Sequence, residues 1–434
     1  MADISFDRPT HSIDNDCSVI LSNMRINGED VRIRYKVSRG PVSHTADAFL
    51  TAGLFPAMKL GHDLRIEGSV SPKLLRATDT IQDIIRAWFP GNSSVSIEAE
   101  TSNDTGLTDQ REVGAFFSGG IDAFYTLLKH RDEITTLIFI HGFDIQLDKY
   151  EFRKRASKSV KDVADEFGKV LVEVETNLPE CLEKISPSFI PAGGDAHGAV
   201  LASIALLLSP RLKKVYIPSS VPYHVMNPWG SHVLLDRLWS TEDMAIVHDG
   251  CEADRIKKAF VVAQSEVAMR NLRVCLFKPE EGLNCERCEK CLRTMAELRA
   301  VGALDRCSTF RSKLDLRTFS EIKIEKHLLY YLYQAKLQTV EMHGNDPELA
   351  NALHKIIKNY EFNKLSKELN DGMVPFLESS IGQRLFNSRR NTILKYLWRD
   401  DPEWMIKEVI KESLKLVDRK LFGGTLYRLK NPQG

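Results

Sequence analysis

From residue 113 the chain alternates short apolar runs with amphipathic stretches, and that alternation constrains its fold more than any other feature. "VGAFF", "TTLIFIHGF", "KVLVEVET" and "KKVYIPSS" are too short and too rich in β-branched residues to be helices. Between the second and third of these runs, Phe152, Ala156, Val160, Val163 and Phe167 recur at steps of three and four, which predicts an amphipathic helix over 147–168. Repeated strand-helix units predict an α/β fold: a parallel, doubly wound sheet covered on both faces, with ligands received at the carboxyl ends of its strands.

Strand and helix meet most tightly at "FFSGGIDAF". Gly119 and Gly120 have no Cβ, so their N–H groups can approach a ligand closely, and a helix starting near Ile121 adds orphan donors and a positive dipole end. The turn is shaped for an anion, phosphate above all. The spacings of the two better-known phosphate loops, GxxxxGK[ST] and GxGxxG, are both missing from it. The plain alternative is a tight strand-to-helix turn with Asp122 as a capping acid.

A second anchor is "RVCLFKPEEGLNCERCEKCLRTM", which spaces Cys275, Cys285, Cys288 and Cys291 as C-x9-C-x2-C-x2-C. Four thiolates complete a closed tetrahedral zinc site, structural because no coordination position stays open. An iron-sulfur cluster is the competing metal, and Cys307 or His248 compete with Cys275 as fourth ligand. Cys17, Cys181, Cys251 and Cys307 otherwise read as small buried hydrophobes.

Around these anchors three regions are expected. Residues 1–105 mix strand-like runs with two helical stretches, an N-terminal α+β domain; "TSNDTGLTDQRE" reads as the linker; 106–305 is the catalytic domain; 306–434 is helical in pattern. The balance of 59 basic and 59 acidic side chains gives no reason to expect a nucleic-acid or membrane partner. With no signal-like N-terminus, no apolar run near the ~18–20 residues of a membrane span, and eight cysteines, a cytoplasmic protein is expected.

The strand-SGGxD-helix pattern resembles the PP-loop ATP pyrophosphatases, whose SGGxDS motif binds the pyrophosphate part of ATP while an adenylated intermediate forms. Ser118, Gly119, Gly120 and Asp122 match; Ala123 stands where the family usually has a serine whose hydroxyl helps hold phosphate. Followed by the cysteine series, the motif is similar to one branch, the 7-cyano-7-deazaguanine synthases of the queuosine pathway, over roughly 112–305. The resemblance implies the adenine nucleotide alpha hydrolase-like fold with a zinc knot, ATP and Mg2+ as cofactors beside Zn2+, and an AMP-forming carbon-nitrogen ligase. Such synthases adenylate a 7-carboxy-7-deazaguanine and let ammonia displace AMP to give an amide, then a nitrile. Larger relatives occur in antiviral operons, and some join the acid to a protein partner. The partners implied are therefore a small deazapurine-like acid, a protein acceptor encoded nearby, and a second copy of the chain.

Roles follow by position. Ser118, Gly119, Gly120, Ile121, Asp122 and Ala123 form the phosphate cradle, with Asp122 also a candidate for magnesium; Arg255, Lys258 and Arg293 are the candidate cations facing the α-phosphate. The resemblance implies that His141, Gly142 and Asp144, ending the second strand, receive adenine and ribose; Glu175, Thr176 and Asn177 end the third, and Thr176 and Asn177 are taken as further nucleotide contacts. "PAGGDAHGAVLAS" is another glycine-rich entry into an apolar helix, with Asp195 as its cap and His197 as either a general base or a packed ring. "VPYHVMNPWGSH" reads either as a loop that stacks a flat base or as one pinned by Trp229. The basic "RRNTILKYLWR" reads as one face of a helix. Two other functions compete: a tRNA or metabolite thiolation enzyme, which needs a reactive cysteine in the cleft, and a non-catalytic nucleotide-binding assembly subunit.

Overall fold

The computed structural model describes residues 4–102, 111–189, 194–275, 277, 279–324, 327–343 and 346–378. The chain is α/β. Eleven strands form one sheet: β1 (Ile4–Phe6), β2 (Thr10–Asp14), β3 (Cys17–Ile26), β4 (Glu29–Val37), β5 (Leu64–Val70), β6 (Ile97–Thr101), β7 (Glu112–Phe116), β8 (Thr136–His141), β9 (Val170–Thr176), β10 (Leu212–Pro218) and β11 (Ala245–Asp249). Their order is β11-β10-β7-β8-β9-β4-β3-β1-β5-β6, with β2 paired to β3.

The five strands from β7 to β11 are all parallel. The chain steps from β7 through β8 to β9, then jumps back to β10 on the other side of β7. Right-handed crossovers demand that helices linking strands in opposite directions lie on opposite faces. Accordingly α3 (Ile121–Lys129) and α4 (Tyr150–Phe167) pack with α7 (Arg255–Val262) and α8 (Glu266–Asn271), whereas α6 (His197–Leu207) packs with α1 (Asp47–Leu60). The predicted amphipathic helix is α4, and it buries Phe152, Ala156, Val160 and Val163. Strand order reverses at β7, and the glycine turn lies at its carboxyl end, the place where open α/β sheets generally bind ligands.

The N-terminal strands join this same sheet. β4 pairs antiparallel with β9 through Tyr35–Thr176, Lys36–Glu175 and Val37–Val174, so the expected α+β region and the parallel strands form a single surface. Asn177 strengthens the join: its Oδ1 accepts the Arg34 N–H and its Nδ2 donates to the Arg32 carbonyl, each at 2.8 Å. α1 is buried nearly all round, and Gly53 lets Phe6 and Leu64 approach its backbone. α2 (Pro72–Trp88) is amphipathic and capped by Ser71, whose Oγ accepts from the Leu74 N–H. α5 (Leu178–Ile185) follows Asn177 directly.

Beyond the sheet come α9 (Glu289–Ala300), α10 (Leu316–Ser320), α11 (His327–His343) and α12 (Pro347–Glu378). The chain divides into two compact units, 1–322 with 326–353, and 323–325 with 354–434; in the second, the described part is chiefly helical. Most of the expected linker, part of "PAGGDAHG", the "PEWMIKEVIKESLKLV" segment and the basic "RRNTILKYLWR" lie outside the described residues. No helix among the described residues is long and apolar enough to cross a membrane.

Candidate functional site

The turn between β7 and α3 takes its shape from Gly119, at φ +79°. A side chain there is strained by its backbone angle and meets the Cβ of Arg273 at 3.4 Å. The Gly119 carbonyl accepts the Arg273 N–H at 2.8 Å, and Arg273 Nε donates to the Ser118 carbonyl at 2.9 Å, so the acceptors of the turn are occupied from outside. Its donors are not. Gly120 is the N-cap of α3 and supplies no side-chain bond to the first turn, leaving orphan N–H groups at a positive dipole end. The arrangement is chemically suited to an anion.

Asp122, on the first turn of α3, is held by cations. Arg255 Nη1 lies 2.5 Å from its Oδ2, Lys258 Nζ 3.2 Å from its Oδ1, and Ser220 Oγ donates to it at 3.1 Å. Burial acts to raise this carboxyl, but the charges of Arg255 and Lys258 outweigh it and hold the group at about 2. Asp122 is therefore committed to two cations, and its expected contact with magnesium has to compete with them. Lys258 also donates to the Ser219 carbonyl at the end of β10. Arg255 forks onto Glu297 of α9 at 3.1 Å, and Glu297 also meets Lys336 of α11 at 3.2 Å. Burial drives the Lys336 ammonium down to about 8, although Glu297 opposes the shift. Arg293, expected among the cations at the turn, instead pairs with Glu289 at 2.8 Å, and Glu289 accepts from the Tyr333 hydroxyl at 3.0 Å.

At the end of β8, His141 is buried and turned to Glu173 at 3.2 Å and Ser157 at 3.3 Å, so it braces β8 against β9 and α4. Gly142 is required by a close approach: a Cβ would stand 1.9 Å from the Thr176 carbonyl. Asp144 lies 3.7 Å from Arg273, which brings the ends of β7 and β8 together. Thr176 is buried, its hydroxyl accepting the Leu178 N–H, and Glu175 pairs with Arg153. Asn177 is engaged with β4, away from the role given to it by position.

α6 starts without a side-chain cap; its N-cap is Ala196, one residue beyond the expected Asp195. Burial lowers the His197 imidazole to about 4, which suits a neutral packed ring better than a base at neutral pH. His197 lies between Phe143 and Trp229, with ring centres at 4.8 and 5.1 Å. Of the histidines in "VPYHVMNPWGSH", His232 packs edge-on to Trp88 at 4.7 Å and accepts the Leu234 N–H.

Sγ atoms of Cys275, Cys285, Cys288 and Cys291 all lie within 4.8 Å of one another, and the group could hold a metal such as zinc. Metal–sulfur bonds of ~2.3 Å give a tetrahedron with edges of about 3.8 Å; Cys285 and Cys291 stand 3.9 Å apart. The spacing fits one ion, whereas a four-iron cluster would spread the sulfurs wider. Backbone N–H groups of Phe277 and Cys288 point to Cys275 and Cys285 at 3.3 Å. Glu286 takes the left-handed turn position, φ +60°, and its carboxylate accepts the N–H groups of Arg311 and Ser312. The rival fourth ligands are engaged elsewhere: Cys307 contacts Thr309 at 3.4 Å, and His248 Nδ1 meets the buried Asp236 at 2.7 Å.

Arg273, Ser220, Glu297, Lys336 and Phe143 were not singled out by sequence. Each lies far along the chain from its partner, and only Ser220 and Phe143, just past the ends of β10 and β8, carried a positional signal. No family model, curated protein or solved structure matches this chain.

Proposed function

We propose that the chain is an ATP-dependent, AMP-forming ligase of the PP-loop type that activates a 7-carboxy-7-deazaguanine-like acid and passes it to ammonia or another amine. The observation that carries this reading is the uncapped Gly119–Gly120 turn at the strand-order reversal, with Arg255 and Lys258 gathered on Asp122 beside it. The turn receives the departing pyrophosphate. The two cations, shared between Asp122 and the nucleotide, offset charge growing at the α-phosphate. Magnesium arriving on the nucleotide adds further charge neutralisation. An acid oxygen attacks the α-phosphorus and pyrophosphate leaves; the amine then attacks the acyl carbon, AMP leaves and the amine loses a proton. The cysteine cluster holds a structural zinc ion in this reading. Thiolation gains no support, because it needs a reactive cysteine in the cleft, whereas Cys181, Cys251 and Cys307 are buried and Cys17 starts β3 in the N-terminal strands.

The test is product analysis after incubation with ATP, magnesium, ammonia and 7-carboxy-7-deazaguanine. AMP and pyrophosphate formed only in the presence of the acid are expected. ADP, or ATP left intact, overturns the reading.

A further inference from the structure

We propose that Phe143, His197 and Trp229 form the pocket for the ring of the acid, and that Asp144 and Asn227 read a guanine-type edge. This rests on the ligase reading and names the part of the cleft that reading leaves open. The three rings come from different elements: Phe143 from the loop after β8, His197 from the first turn of α6, Trp229 from the loop after β10. They converge with ring centres 4.8 and 5.1 Å apart, tilted by 49° and 36°.

Two polar atoms of this group, His197 Nδ1 and Trp229 Nε1, and a third on the same loop, Oδ1 of Asn227 two residues before Trp229, are shut off from solvent and find no hydrogen-bond partner among the described residues. Buried polar atoms without partners are costly, and this pair within one aromatic group points to a ligand that supplies their partners. A flat ring with donors and acceptors on its rim can stack on Trp229 and satisfy them.

The carboxylate neighbour selects the kind of ring. Asp144 is 3.7 Å from Arg273, which holds the phosphate turn, and its side chain is 40 % exposed. Its charge also reaches His197. A carboxylate and an amide oxygen together are acceptors. They match the ring N–H and amino group of a guanine-type base, whereas adenine offers only its amino group. His197, kept neutral by its surroundings, presents one donor and one acceptor without adding charge.

Binding of the acid is measured by calorimetry on the full, metal-loaded chain without ATP, so the result does not depend on turnover. Probes are 7-carboxy-7-deazaguanine, guanine and AMP; the variants are Trp229→Phe, Trp229→Ala, Asp144→Asn and Asn227→Ala, with circular dichroism to confirm folding. Trp229→Phe and Asn227→Ala are each expected to weaken the acid about tenfold, the loss of one hydrogen bond. Asp144→Asn should weaken both guanine-type probes by at least as much, and AMP should bind folded Trp229→Phe and Asn227→Ala as it binds the wild type. Unchanged acid affinity in folded Trp229→Phe and Asp144→Asn assigns the rings to core packing and overturns the proposal. Weakened AMP with unchanged acid assigns the rings to adenine and overturns it as well. The ligase reading fails by a different result, the absence of AMP formation.

Discussion

The backbone N–H of Arg273 meets the Gly119 carbonyl at 2.8 Å, tying the cysteine cluster to the glycine turn. Arg273 stands two residues before Cys275, and its Nε also holds the Ser118 carbonyl. A metal ion that fixes Cys275 therefore fixes the strut beneath the glycine turn.

Metal loss is accordingly expected to cost nucleotide binding as well as stability. Elemental analysis should find one zinc ion per chain, absent from Cys288→Ser, because metal binding at such a site is folding free energy. Calorimetric ATP affinity should fall together with zinc content across Cys285→Ser and Cys288→Ser. Metal-free wild type that stays folded and binds ATP as before would refute this coupling.

Gly119→Ala should destabilise the chain by about 1–2 kcal/mol through its left-handed backbone angle. ATP affinity should fall at least about tenfold, as the donors are displaced. Gly28→Ala is the control: φ is +83° there and nothing lies within 4 Å of the added Cβ. Urea midpoints should drop in both variants, ATP binding only in the first.

Asp122→Asn removes the counter-charge from Arg255 and Lys258 and should slow turnover by about 10- to 1000-fold. With its folded value at about 2, below the ordinary 3.8 of an aspartate, the Asp122 carboxylate contributes stability that is present above about pH 4 and lost as pH falls toward 2. The difference in stability between wild type and Asp122→Asn should therefore be constant from pH 5 to 8 and shrink below pH 4. Ala123→Ser, which restores a hydroxyl on the first turn of α3, should leave turnover equal or higher; complete loss would show a site built around alanine.

Two buried histidines should give opposite pH slopes. Burial opposes protonation of His248, but its bonds to Asp236 and Cys251 raise it to about 9, above the ordinary 6.5 of an imidazole. Its stabilisation is complete below pH 6.5 and fades as pH rises through 9. His197, lowered to about 4, is stabilising while neutral and loses that contribution as pH falls from 6.5 to 4. Chemical denaturation from pH 4 to 9 should show His248→Gln flattening the alkaline side and His197→Phe the acid side. Parallel profiles for wild type and both variants would contradict these assignments.

Local chemistry made part of this protein legible. β-branched runs of strand length marked β7 to β10, apolar steps of three and four marked α4, paired glycines before an apolar helix marked the turn, and C-x2-C steps marked the cysteine cluster. Those signals are local because a strand, a helix start or a turn of thiolates is defined by neighbours in sequence. Positions whose meaning depends on a distant partner were not legible. β1, β2 and β11 are too short or too polar to announce themselves, and β4 joins β9 through a pairing across about 140 residues. Asn177 looked like a nucleotide contact from its place at a strand end, yet it clasps β4; Arg293 looked like a third cation for the turn beside Arg255 and Lys258, yet Glu289 one helical turn away pairs with it. Strand order, the strut from Arg273 and the meeting of Phe143, His197 and Trp229 were decided by the tertiary structure alone, because hydrogen-bonding and packing partners are chosen by burial in three dimensions.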